Sequence, residues 1–186
     1  TGTSIPLEIT DWKNVPMRYI PAGEFTMGSD DTGDQNSRPA HSVHVEAFYI
    51  DKYEVTNEMY SACSYAVECR KPLEGGSVTR SSYFANPVFA NYPVIYVDWK
   101  MANAYCEWRG ARLPTEAEWE KAARGTDARL YPWGNDKPDC GIANVTGCVE
   151  DTTAVDQFEN GASIYGVVGL AGNVWEWTSS LFKFYP

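Results

Sequence analysis

Glycine and proline interrupt this chain so often that no regular element can run far. Pro21 and Gly23, Gly75-Gly76, Asn86-Pro87, Tyr92-Pro93, Gly110 and Gly125 each mark a place where a strand or helix must turn or stop. With fifteen Gly and eleven Pro, the space between short elements has to be filled by large flat side chains, and seven Trp, twelve Tyr and seven Phe supply them. This mixture predicts a loop-rich α+β fold with two or three short helices among short strands, and argues against a helical bundle. A length of 186 residues suits one domain. No repeat or linker-like tract divides it, so residues 1–186 are read as a single domain.

Charge narrows the partners. The net charge is −10 and no Lys/Arg-rich block occurs, which argues against a nucleic acid or an anionic membrane surface. An apolar share of 44% argues against disorder, and no apolar run is long enough to span a membrane.

Local patterns place the elements. Residues 17–28 alternate around Pro21 and Gly23 and predict two short strands, and His41–Asp51 alternates as one further strand, with a polar loop over 29–40 between them. Thr56 caps a helix reaching about Val67, and Asp98 caps another that Gly110 stops. Thr115-Glu-Ala-Glu118 has the form of a capping box. Val94–Val97 and Asn173–Trp177 read as strands; in the second, Trp175 and Trp177 fall opposite Glu176 and are expected in the core.

Among the five cysteines no Cys-x-x-Cys occurs, which leaves no zinc knuckle or thioredoxin-type motif. Cys63 with Cys69, and Cys140 with Cys148, each flank a short polar turn and can close a small loop, worth about 2–3 kcal/mol apiece in the chain-entropy model. Such loops fit an oxidising compartment, so a secreted, periplasmic or otherwise exported chain is expected. Thr1 opens a polar segment in which no signal peptide is visible. His41 and His44 lie three apart on a strand and face opposite ways, so they do not form a metal pair, and Glu116, Glu118 and Glu120 spread around a helix, which favours capping and solvation over acid–base work.

Four segments, in this order, are Ile20-Pro-Ala-Gly-Glu-Phe-Thr-Met-Gly28, Tyr53-Glu-Val-Thr-Asn57, Arg112-Leu-Pro-Thr-Glu-Ala-Glu-Trp-Glu120 with Tyr131-Pro-Trp-Gly134, and Leu170-Ala-Gly-Asn-Val-Trp-Glu-Trp177. Together they resemble the formylglycine-generating-enzyme, or sulfatase-modifying-factor, family over about Met17–Thr178. The resemblance implies a heavily decorated C-type-lectin-like fold with two principal helices. It also implies an activity, the oxidation of a cysteine in a sulfatase's Cys-x-Pro-x-Arg segment to formylglycine, with oxygen and with copper held by two cysteines. Those cysteines follow the Trp-Glu-Trp segment in the family, and none of the five here matches them, so no catalytic residue is named and copper is expected only with a further C-terminal region. A sulfatase polypeptide is the partner that this reading implies. Other branches of the family are binding or sensory modules, and a non-catalytic ligand- or protein-binding module on the same scaffold is the alternative. An iron-dependent sulfur–carbon oxygenase is disfavoured, since its iron needs three histidines and the chain has two.

The same resemblance implies calcium. Asn144 and Val145, with Asp151 as a looser match, correspond to one calcium site; Gly172 and Val174 through carbonyls and Glu176 through its carboxylate correspond to another. Gly169 stands where relatives carry Asn or Asp, so one side-chain ligand of the second site is absent. Asn144-Val-Thr146 is also a glycosylation sequon, which would collide with calcium at Asn144. Cys106, in Tyr105-Cys-Glu-Trp108, matches a family cysteine that pairs near the domain's C-terminus; the other reading is a buried free thiol on a helix.

Overall fold

A computed structural model describes residues 5–31 and 35–185. Thr32, Gly33 and Asp34, part of the loop expected over 29–40, lie outside the described residues, as do residues 1–4 and Pro186. The described residues form five strands: β1 (Glu8–Thr10), β2 (Pro16–Ile20), β3 (Gly23–Met27), β4 (His41–Val45) and β5 (Phe48–Asp51). Three α-helices of nearly equal length follow, α1 (Asn57–Tyr65), α2 (Trp99–Trp108) and α3 (Glu116–Arg124). Most of the remainder is irregular, so the architecture is the expected α+β one.

The strands form two small antiparallel sheets, ordered β1-β2-β5 and β3-β4. One register runs through both, with Ile20 opposite Phe48 before the break and Gly23 opposite Val45 after it. The expected pair of strands within 17–28 therefore exists, but the two do not pair with each other. The single strand expected over 41–51 is broken at Glu46-Ala47, where a long two-stranded ribbon turns a corner. Pro21 has no N–H to give a ladder, and Gly23 takes φ +139, so the ribbon bends there. Lys121 of α3 secures the corner: its buried ammonium donates to the carbonyls of Pro21 at 2.8 Å and Gly23 at 2.7 Å. Burial lowers the Lys121 pKa.

That corner lets each sheet cover its own apolar cluster. Ile20 packs with Ala122, Ala123, Val167 and Leu170, while Phe25, Met27 and Val45 form a second cluster beside Ala117. A third cluster joins α1 to α2 through Tyr60, Cys63, Met101 and Tyr105.

The predicted caps are present. Thr56 accepts from the Met59 amide, Asp98 from the Met101 amide, and Thr115 and Glu118 exchange both bonds of a capping box. After α1 the chain turns back through Val67 at φ +64, which returns Cys69 to Cys63. Cys63–Cys69 and Cys140–Cys148 are both disulfides, which suits an oxidising compartment. Cys106 is the remaining thiol, and burial raises its pKa to about 11.

Two expected strands do not form. Residues 94–97 contribute only a bridge from the neighbouring Pro93 to Thr56, and Tyr96 at φ +57 leaves the extended region. Residues 173–177 pair with no strand among the described residues; Gly172 at φ +96 and Asn173 at φ +59 bend the backbone instead. Trp175 is consequently 102% exposed and Trp177 48% exposed, so the expectation that both lie in the core is corrected.

Candidate functional site

The irregular 168–177 segment is a ridge between two concavities. On one side is a cleft of about 460 Å³ whose walls include Glu54, Tyr105, Cys106, Val174, Trp175 and Glu176. On the other is an open groove of about 1530 Å³ bounded by Asn144, Asp151, Trp119 and Phe182, among others. Val174, Trp175, Glu176 and Trp177 face both.

One wall of the cleft is held by a buried cation. Arg109, at the end of α2, grips Asp51 through two bonds of 2.5 and 2.7 Å and reaches Asp11 at 3.0 Å. Burial works against the Arg109 charge, but the adjoining Asp51 carboxylate outweighs it and keeps the guanidinium protonated. This network ties α2 to β5 and to the β1–β2 turn.

Of the second predicted calcium set, Val174 and Glu176 line both concavities, whereas Gly172 borders the larger groove. Glu176 accepts a 2.7 Å hydrogen bond from the Trp119 indole, and the crowding protein pushes its carboxyl up to about 7 even though solvent reaches the residue through the concavity. Among the described residues, no hydrogen bond ends on the carbonyls of Gly172 or Val174. A carboxylate that was not singled out in the sequence joins them. Glu54, just after β5, is only 8% exposed; Asn173 donates to its Oε1 at 2.9 Å, and its Oε2 is buried without any partner. Burial first, then the charge of Glu176, raises the Glu54 pKa to about 8. Only its position inside the Tyr53–Asn57 motif could have drawn attention to it. No three His, Cys, Asp or Glu side chains of the described residues converge on one point, so a cation here depends on carbonyl oxygens as well.

The first predicted set lies beside the larger groove, and its side chains already have partners. Asp151 accepts from Ser77 Oγ, from the Thr79 amide and hydroxyl and from its neighbour's amide, all at 2.7–2.8 Å. Arg80 adds an ion pair at 3.1 Å. Burial opposes the Asp151 charge, but the bonds from Ser77 and Thr79 hold its carboxyl down to about 2. Asn144 Oδ1 accepts from the Val149 amide, and its amide nitrogen donates to Asp151 O and Asn173 Oδ1, so the sequon nitrogen is buried in the fold.

The remaining candidates have structural partners. Glu120 bonds Arg124 and the Gly28 amide, Glu116 accepts from Tyr185, and Glu118 pairs with Arg112. His41 packs edge-on against Tyr185, and His44 lies 3.7 Å from Glu46.

The family model of the sulfatase-modifying factor enzyme 1-like domain matches residues 10–186, and the chain belongs to that family. The formylglycine-generating enzyme of Mus musculus is 36% identical over 95% of this chain, which spans 60% of the mouse protein. The inactive C-alpha-formylglycine-generating enzyme 2 of Bos taurus is 31% identical over 95% of the chain and 74% of its own length. Among solved structures, PvdO from Pseudomonas aeruginosa superposes with a TM-score of 0.78 at 25% identity, covering 98% of this chain and 78% of that one. A relative named as an enzyme and one named as inactive thus each match 95% of this chain.

Proposed function

We propose that this chain is the polypeptide-engaging scaffold of a formylglycine-generating-type oxidase acting on a cysteine of a sulfatase. The observation that carries the reading is the end of the motif Leu170–Trp177: Leu170 is anchored in the core, while Trp175, Glu176 and Trp177 are exposed between two concavities. Exposed indoles beside a cleft suit an extended peptide, because they offer broad contact at low conformational cost. The residues present do not fit a two-thiolate copper centre, since four of the five cysteines are tied in disulfides and Cys106 stands alone. The copper thiols of this proposal are therefore residues outside the sequence given.

Calcium at Gly172, Val174 and Glu176 is part of the proposal, supported by the orphaned Glu54 oxygen and the free carbonyls nearby. Export is proposed on the strength of the two disulfides.

The test is to incubate the full-length protein with copper, oxygen and a sulfatase peptide carrying Cys-x-Pro-x-Arg, and to follow loss of thiol and gain of aldehyde by mass. Conversion, with kcat/KM lowered in Trp175→Ala, is expected. Peptide binding without conversion establishes the second reading, a non-catalytic binding module. Neither binding nor conversion removes the sulfatase as partner.

A further inference from the structure

We propose that the Cys140–Cys148 disulfide is a thiol-sensitive switch, whose reduction by a dithiol frees residues 145–150 and opens one wall of the larger groove. It rests on neither the calcium nor the sulfatase reading.

Three observations carry it. The two disulfides sit in opposite surroundings. Cys63 and Cys69 are 0% and 6% exposed, inside the apolar cluster that joins α1 to α2. Cys140 is exposed and Cys148 half-buried beside the larger groove. Exchange needs an attacking thiolate to reach a sulfur, so access separates the two pairs, and exposed disulfides are the labile ones.

Next, the segment containing Cys148 is a flap between two fixed posts. Asn144 is buried; its amide nitrogen donates to Asp151 O at 2.8 Å, and its carbonyl accepts from the Asn173 amide at 2.8 Å. Asp151 is anchored in turn by Ser77 and Thr79. Neither post depends on the disulfide.

Lastly, the flap itself is lightly held. Among the described residues its bonds are local: the Cys148 amide donates to the Val145 carbonyl at 3.0 Å, and the Val149 amide to Asn144 Oδ1 at 3.2 Å. Residues 145–150 all border the larger groove. Cys140 stands beside a turn in which the Ile142 and Ala143 amides both donate to the Asp139 carbonyl at 3.1 Å. The Cys140–Cys148 bond is therefore the covalent tie that sets where the flap stands.

In the exchange, one thiolate of the dithiol attacks a sulfur of the pair. The S–S bond breaks, giving a mixed disulfide and a cysteine thiolate that takes up a proton. The second thiolate of the dithiol closes its own disulfide and releases the other cysteine, which is protonated in turn. The dithiol is oxidised by two electrons, and Cys140 and Cys148 are both left as thiols.

The test is graded dithiothreitol on the full-length protein under native conditions, followed by alkylation, peptide mass mapping and hydrogen exchange. Cys140 and Cys148 are expected to be alkylated at a reductant concentration about tenfold or more below that which opens Cys63–Cys69. Amide exchange over 145–150 should then rise by about tenfold while α1 and α3 stay protected. Cys140→Ser combined with Cys148→Ser should show that faster exchange without reductant and no further response to it. Protected α1 and α3 amides in this variant show that it is folded. Opening of both disulfides at the same concentration overturns the difference in access. Selective reduction with unchanged exchange over 145–150 overturns the switch.

Discussion

At Gly169 the backbone sits at φ +88, a conformation that costs any residue with a Cβ, and the nearest neighbour is the Glu54 carboxyl. Gly169→Ala is therefore predicted to destabilise the chain by about 2 kcal/mol or more, read as a lower urea midpoint. An unchanged midpoint would mean that the Glu54 carboxyl is free to move aside. At this scale Gly172, Val174 and Glu176 stand together in one short segment, which is why a motif could name them. Glu54 was not legible. Its partner Asn173 lies 119 residues away, and nothing between Tyr53 and Val55 distinguishes a buried carboxylate from a solvated one. Asp151 was legible as a carboxylate beside a loop, but its donors come from Ser77 and Thr79, which only the fold brings near.

Elements were read best where their cause is local. The caps at Thr56, Asp98 and Thr115 depend on bonds spanning three residues, so they follow from sequence alone. Thr115→Ala should cost about 1 kcal/mol in thermal or chemical denaturation. The capping carboxylate gives a pH dependence. Arg112, chiefly, holds the Glu118 pKa below its usual 4.5. Its contribution is then complete above that value and fades as the pH falls through the lower folded one. The stability gap between wild type and Glu118→Gln should close on acidification; a gap constant with pH would contradict the ion pair. Strands were read less well because a strand needs a partner. Residues 94–97 and 173–177 alternate suitably but meet none, whereas the corner at Pro21 and Glu46 depends on Lys121, a hundred residues on.

For the whole molecule, the Arg109 network joins α2 to β5 and to the β1–β2 turn, while each disulfide closes a local loop. Ellman titration of the unreduced, denatured chain should find one thiol, that of Cys106; five would contradict both disulfides. Asp51→Ala leaves Arg109, whose side chain is 2% exposed, with Asp11 alone, and should cost about 3 kcal/mol in denaturant. The fold class was legible from the punctuation by glycine and proline together with the aromatic content, because those residues limit element length everywhere. The shape of the site was not, because the segment that carries it is irregular and its tryptophans point outward. Calcium is proposed at Glu176 and the carbonyls of Gly172 and Val174. The most direct measurement is an anomalous difference map from crystals of the chain grown with calcium and exchanged with terbium. One strong peak is expected within ligand distance of the Glu176 carboxylate and the Gly172 and Val174 carbonyls. A peak at Asn144 and Asp151 with none at Glu176, or no peak at all, would contradict that site.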